Sequence, residues 1–264
     1  VEVEIDAEHV AVLSTDYVFT CAALPDLKVI SRCGTGMDNV DRAYAAEKGI
    51  EVRNTPDGPT LAVAELTLGL ILTLLRQVPH QDRELRSGVW KKRMGNLLHG
   101  KNVGIVGFGK IGQAVAHLLE PFGVNVGYHD PFADVPGYTR LELDDLMGWA
   151  DVITLHCPKT ENGAPLLDLG RLSLMRPGSI ILNIARGGLI DEKALLGLLT
   201  AGHLAGAALD CFTKEPYDGP LKEMDNVILT PHIAFASEES MLRRARIVFQ
   251  NLYAWLDGEP INLC

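Results

Sequence analysis

Arg186, Glu215 and His232 are residue types that together can reduce a carbonyl standing beside a carboxylate. They occur in Arg186-Gly187-Gly188, Glu215-Pro216 and Pro231-His232, each following a short apolar run that reads as a strand. All three lie downstream of a glycine fingerprint, Gly107-Phe108-Gly109-Lys110-Ile111-Gly112. A guanidinium is a fixed cation whose planar fork matches a carboxylate. An imidazole gives or takes a proton near neutral pH, and a carboxylate beside it holds the ring and favours the protonated form. Any one of them alone is an ordinary surface or loop residue, and it is their joint placement that points to chemistry.

Such side chains meet only if the strands before them end on one edge of a sheet. Runs at 103–106, 124–128, 152–155, 180–184, 205–209 and 227–229 are short and rich in aliphatic and small residues, as strands buried on both faces require. Helical patterns lie between several of them. One spans 111–119 from the last fingerprint glycine, and one spans 192–199 behind Asp191 as N-cap and before Gly202. Six strands with such crossovers predict an α/β fold with a doubly wound parallel sheet of the Rossmann type. Residues 131–141 read as loop. In that sheet ligands bind outside the carboxyl ends of the strands, and Gly107, Asp130, His156, Arg186, Asp210 and His232 all fall just after such ends.

Residues 1–77 read as a second unit, with strands at 1–5, 10–13 and 28–30 and a helix at 44–48. A longer helix is expected at 60–76, where Leu61, Leu68, Leu72 and Leu75 recur at helical spacing. A last helix at 238–256 puts Leu242, Ala245, Val248, Phe249 and Leu252 on one face and is expected to return to the first unit. The predicted domains are therefore 1–77 with 236–264, and 78–235.

The fingerprint alone is a weak signal, but its context is strong: a strand before, a helix after, and Asp130 eighteen residues beyond Gly112. The first glycine permits a tight turn, the second lets backbone approach a pyrophosphate, and the third lets helix and strand pack closely. The phosphates would sit on amides at the helix N-terminus. Asp130 would bond ribose hydroxyls and repel a 2′-phosphate, which favours NAD over NADP. SAM-binding and nucleotide-sensing folds share parts of this pattern.

Composition narrows the partners. A net charge of −10 on 264 residues, with Lys91-Lys92-Arg93 as the one basic cluster and a solvated turn as its reading, argues against nucleic acid. No apolar stretch reaches membrane-spanning length. Five scattered cysteines (Cys21, Cys33, Cys157, Cys211, Cys264) without CxxC spacing give no metal site and fit a reducing, cytoplasmic setting. A chain that opens on Val1 rather than Met is expected to lack residues at its front.

Several spaced motifs carry a family resemblance. Asn183-Ile184-Ala185-Arg186-Gly187-Gly188-Leu189-Ile190-Asp191-Glu192, then Gly206-Ala207-Ala208-Leu209-Asp210-Cys211-Phe212 with Glu215-Pro216, then Thr230-Pro231-His232-Ile233-Ala234 resemble the D-isomer-specific 2-hydroxyacid dehydrogenases. Arg32-Cys33-Gly34-Thr35-Gly36-Met37-Asp38-Asn39-Val40-Asp41, Asn54-Thr55-Pro56 and Val63-Ala64-Glu65 agree, and within the family the phosphoglycerate dehydrogenase branch is the nearest. The resemblance implies a flavodoxin-like substrate or lid unit beside the cofactor unit. It implies that Arg186 binds the substrate carboxylate and polarises the 2-oxo group, and that His232 is the acid–base with Glu215 as its partner. Asp210 would meet the nicotinamide amide, while Ala185, His156, Cys157, Pro158 and Thr160 would line the cofactor with Gly107, Gly109, Lys110, Ile111, Gly112 and Asp130. Amides of Cys33, Gly34, Thr35 and Gly36 would hold a carboxylate, with Arg32 placed to meet a second anionic group or to pair with Asp38 or Asp41. The stretch 78–98 would embrace a second subunit in a homodimer.

Two features depart from the family pattern: a short front, and Phe235 where a small residue is usual, placed either to trim the pocket or to pack beneath the loop. The alternatives are a hydroxypyruvate or glyoxylate reductase, a dehydrogenase of a phosphorus-containing acid, or an NAD(H)-sensing co-repressor.

Overall fold

The computed structural model describes residues 10–13 and 26–264. The expected strand at 1–5, together with His9 and Cys21, lies outside the described residues. The chain forms two compact units, Val1–Ala62 with Phe235–Cys264, and Val63–Ala234. The return of the last helix to the first unit is thus as expected, whereas the division falls earlier than residue 77. The reason is packing. Val63, Ala64, Leu70, Ile71 and Leu75 belong to the same buried cluster as Val103, Ile105, Leu182 and Ala208.

In the first unit β1 (Val10–Leu13), β2 (Val29–Arg32) and β3 (Glu51–Arg53) form a parallel sheet in the order β1-β2-β3. Helix α1 (Arg42–Lys48) starts at Asp41, whose side chain accepts from the Tyr44 amide, and stops at left-handed Gly49. Helix α2 (Thr60–Leu75) follows and runs into the second unit from Val63 on, with Val63, Ala64, Thr67, Leu70, Ile71 and Leu75 buried; Leu61 of the expected stripe is exposed.

In the second unit α3 (Val78–Arg86) and an irregular stretch lead to β4 (Asn102–Val106), α4 (Lys110–Leu119), β5 (Asn125–His129) and β6 (Thr139–Arg140). Then come α5 (Leu143–Trp149), β7 (Val152–Leu155), α6 (Leu169–Leu174), β8 (Ile180–Asn183), α7 (Glu192–Thr200), β9 (Gly206–Leu209) and β10 (Val227–Leu229). All strand pairs are parallel, in the order β10-β9-β8-β7-β4-β5-β6. Strand order reverses between β4 and β7, the switch point of a doubly wound sheet. Both faces are covered. Val103, Ile105, Val152, Ile180 and Leu182 point into one cluster, and Val106, Ile153, Leu155, Ile181 and Ala207 into the other. The six expected strands are present, joined by β6 in the segment read as loop. Asp191 caps α7 by accepting from the Lys193 and Ala194 amides.

Helix α8 (Glu238–Leu256) has the expected bounds but a different buried face. Ser240, Arg244, Val248, Asn251 and Leu252 are buried, whereas Leu242 and Phe249 are exposed. The inward stripe is half polar because its side chains bond the first unit. Ser240 Oγ donates to the Gly58 carbonyl, and Asn251 Nδ2 donates to the Asn54 carbonyl at 2.8 Å. Arg53 Nη1 donates to the Asn251 carbonyl at 3.0 Å. Among the described residues no single helix is long and apolar enough to cross a membrane.

Two glycines test the packing in opposite directions. A Cβ on Gly104 of β4 would stand 2.7 Å from Ile153 Cδ1 and 3.0 Å from Leu146 Cγ, while one on exposed Gly197 of α7 would meet nothing within 4 Å. Gly104→Ala is expected to lower the unfolding free energy by about 1–3 kcal/mol through overpacking. Gly197→Ala should raise it by up to ~1 kcal/mol through helix propensity and a stiffer unfolded chain. Urea denaturation of the two variants checks this, and midpoints moving in the same direction would contradict it.

Candidate active site

The turn between β4 and α4 has the shape of a dinucleotide loop. Gly107 lies at φ 90, and a Cβ there would meet the His156 carbonyl oxygen at 2.6 Å, so only glycine fits. A Cβ on Gly112 would come within 2.3 Å of the Gly107 carbonyl oxygen, which packs α4 tightly under the turn. Gly109, the N-cap of α4, instead faces open space, and the first turn of α4 carries no acid. Amides at a helix start with room before them suit an anionic pyrophosphate. Lys110 is exposed and Ile111 half-buried beside it.

Asp130, at the end of β5, holds this turn. Its Oδ2 accepts from the Phe108 amide at 2.7 Å and its Oδ1 from the Phe132 and Ala133 amides at 2.8 and 3.0 Å. Burial pushes its pKa up, but these three amides outweigh that and leave it below the ordinary carboxylate value. A fixed negative charge at the end of the second strand is what a ribose diol meets and a 2′-phosphate avoids.

After β7, burial pushes the His156 imidazole down to about 3, so it stays neutral across the physiological range. Its Nε2 bonds Thr154 Oγ1 at 2.9 Å, and its buried Nδ1 has no partner among the described residues. Burial likewise pushes the Cys157 thiol up to about 11, so it is no nucleophile. Pro158 is exposed, and Thr160 donates its hydroxyl to the Ala164 carbonyl, fastening its own loop.

The second unit brings Arg186, Glu215 and His232 together. Asn183, buried at the end of β8, accepts from the Ala185 amide through Oδ1 and donates from Nδ2 to the Arg186 carbonyl at 2.8 Å, shaping the turn that presents Arg186. Arg186 Nη1 donates to the carbonyl of buried Ala185 at 2.7 Å. A Cβ on Gly187 would sit 1.7 Å from the Phe212 carbonyl oxygen, so glycine is what lets this turn press against the segment after β9. On that segment Glu215 Oε1 accepts from the Phe212 amide at 3.0 Å, and Oε2 lies 3.1 Å from His232 Nδ1. Glu215 and His232 are each 41% exposed, open to a reactant.

His232 itself stands at φ 54, which a non-glycine residue holds only when its surroundings impose it. The surroundings are Asp210. Its fully buried carboxylate accepts from Thr230 Oγ1 at 2.6 Å, the Ile233 amide at 2.9 Å and the Ala234 amide at 2.9 Å. A nicotinamide amide would have to share these oxygens.

The first unit carries the other expected residues. Gly34 takes the Thr55 amide on its carbonyl and donates its own amide to the Arg32 carbonyl, while Asn54 Nδ2 donates to the Thr35 carbonyl. Gly36 continues the same loop, half-buried like Met37. Arg32 is not the open cation expected at this loop. It is only 8% exposed, its Nε donates to Asn39 Oδ1 at 3.4 Å, and its guanidinium lies where a Cβ on Gly34 would be. Asp41 is engaged as the cap of α1.

Arg244 was not anticipated. Buried within α8, it donates to the Cys33 carbonyl and lies over the Phe235 ring at 4.6 Å. Phe235 therefore packs beneath a guanidinium. Nor is Arg93 a solvated charge: it forks onto Glu84 at 2.7 and 2.6 Å.

Comparison with known proteins settles the family. Residues 68–234 match the model of the D-isomer specific 2-hydroxyacid dehydrogenase, NAD binding domain. The chain belongs to the D-isomer specific 2-hydroxyacid dehydrogenase family. It is 39% identical over 249 residues to the D-3-phosphoglycerate dehydrogenase of Archaeoglobus fulgidus, covering 91% of this chain and 47% of that one. The glyoxylate reductase structure from Paecilomyes thermophila superposes with a TM-score of 0.91 at 31% identity, covering 97% and 83% of the two chains. D-lactate dehydrogenase from Aquifex aeolicus, complexed with NAD and lactic acid, gives 0.86 at 28% identity, covering 95% and 84%. The chain spans about half the length of the curated relatives it matches. Membership makes the second unit an NAD-binding domain.

Because the folded-state pKa of Asp130 is depressed, its contribution to stability is present above the ordinary carboxylate value of about 4 and is lost as pH falls through the folded value. Asp130→Asn should therefore flatten the acid limb of the stability profile. Urea unfolding between neutral pH and pH ~3 reads this, and parallel limbs for variant and wild type would show that Asp130 is not the group titrating.

Proposed function

We propose that this protein transfers hydride between NAD(H) and a D-2-hydroxy acid/2-oxo acid pair, with a 3-phosphoglycerate-like acid as substrate. The observation that supports it most is the meeting of Arg186, Glu215 and His232 at the carboxyl edge of the NAD-binding sheet. When bound, NAD(H) supplies the hydride to the 2-oxo carbon or accepts it back. Arg186 binds the substrate carboxylate through its fork and stabilises the negative charge that grows on the 2-oxo oxygen, an effect that is strongest when water is excluded. His232 gives that oxygen its proton in reduction and removes it in oxidation. Glu215, 3.1 Å from Nδ1, orients the ring so that the other nitrogen faces the reactant.

The loop of Cys33, Gly34, Thr35 and Gly36 is taken as the substrate-reading part of the first unit, with Arg32, buried and bonded to Asn39, meeting a phosphoryl group by leaving Asn39. The likeness to D-3-phosphoglycerate dehydrogenases over most of the chain supports this substrate. The likeness in fold to a glyoxylate reductase keeps shorter 2-oxo acids as the competing reading. The protein is further taken as a homodimer through residues 78–98, because Trp90 and Met94 stand 83% and 88% exposed, with Val78, Leu85 and Leu97 also outward. The free state of Cys33, Cys157, Cys211 and Cys264 fits a reducing cytoplasmic setting.

NADH oxidation with a panel of 2-oxo acids, 3-phosphohydroxypyruvate included, tests the activity; silence with every member, as for a co-repressor, would overturn it. His232→Asn should retain NADH binding and lose at least ~10²-fold in turnover, whereas Glu215→Gln should do less damage. Near-normal turnover in His232→Asn would move the proton donor elsewhere. Arg32→Ala should lower kcat/KM steeply for a phosphorylated 2-oxo acid and little for an unphosphorylated one, and equal losses would make Arg32 structural. Sedimentation is expected to give a dimer at micromolar concentration, and a monomer there would contradict the role given to 78–98.

A further inference from the structure

Hydride transfer leaves one nearby group without a task. Cys211 Sγ, a carboxylate oxygen of Glu215 and a ring nitrogen of His232 all lie within 4.8 Å of one another. Cys211 is buried, its thiol donating to the Ala185 carbonyl at 3.6 Å, while Glu215 and His232 are open to solvent. Thiolate, imidazole and carboxylate are the donors that zinc takes, and three protein ligands with an open fourth position make a complete tetrahedral set. The spacing agrees. His232 Nδ1 and Glu215 Oε2 stand 3.1 Å apart, and two such ligands at about 2.0–2.2 Å from a tetrahedral ion stand ~3.3 Å apart. With sulfur at about 2.3 Å from zinc, Sγ needs to close by at most ~1.2 Å to complete the set.

We infer that Cys211, Glu215 and His232 form a site for a thiophilic divalent cation of the zinc class, whose occupation withdraws His232 from proton transfer. The inhibition rests on the role proposed above for His232; the binding does not. The cation takes the place of the proton between His232 and Glu215, and the Cys211 thiol gives its proton to water as the sulfur–metal bond forms.

Cobalt(II) is the direct probe, because thiolate ligation gives it a near-ultraviolet charge-transfer absorption that does not depend on turnover. Titration of the protein should develop that band to saturation at one equivalent per chain, and zinc should erase it. Cys211→Ala and Cys211→Ser should both lack the band while keeping NADH binding as a sign of an intact fold. In the oxo-acid assay, zinc should inhibit the wild type reversibly, relieved by a chelator, and about tenfold or more zinc should be needed for the variants. A band that survives in both variants would place cobalt on another cysteine and overturn the site, as would a wild type without the band. A protein that shows the Cys211-dependent band yet reduces no 2-oxo acid would keep the site and remove the hydride-transfer function.

Discussion

A carboxylate with no exposed surface sets the geometry of this site. Asp210 ends β9, and burying it without partners would cost several kcal/mol, so three donors must converge on it. Those donors are Thr230 Oγ1 and the amides of Ile233 and Ala234, which bracket His232 in the chain. The satisfied carboxylate thus fixes the loop after β10 and forces the positive φ of His232. Strain at one residue persists because the bonds on either side over-determine it. With His232 so placed, Glu215 needs only its own tether to the Phe212 amide to meet the ring. Arg186 reaches the same region because Gly187 lets the two loops touch.

The cofactor turn follows the same design on the other side of the switch point. Asp130 is a second carboxylate at a strand end, and it too gathers backbone amides, one of them inside the glycine turn. The difference lies in exposure. Asp210 is fully buried, whereas Asp130 is half-buried. Parallel strands end at one edge, so such acids can organise neighbouring loops without any long connection.

Much of this was legible in the chain. Strands buried on both faces announce themselves as aliphatic runs, and the glycine turn, Asp130, Arg186 and His232 stand where their strands end. What escaped was polar or edge-like. β6 is two exposed residues, Thr139 and Arg140, with no apolar signal to read. The inner face of α8 was mistaken because apolar spacing pointed to Leu242 and Phe249, while the buried stripe carries Ser240, Arg244 and Asn251. Nothing in sequence spacing tells a buried arginine from a surface one. For the same reason Arg32 read as an open cation and Arg93 as a solvated one, until Asn39 and Glu84 appeared beside them. Thr230 was visible only as part of a motif, and its hydroxyl bond to Asp210 is a tertiary fact.

The hold of Asp210 on the loop that carries His232 can be measured at the loop itself. Hydrogen exchange at the Ile233 and Ala234 amides should be slow in the wild type and much faster in Asp210→Ala, with turnover falling alongside while the Phe108 amide, bonded to Asp130, keeps its protection. Unchanged protection at Ile233 and Ala234 in Asp210→Ala, with His232-dependent turnover intact, would contradict the account.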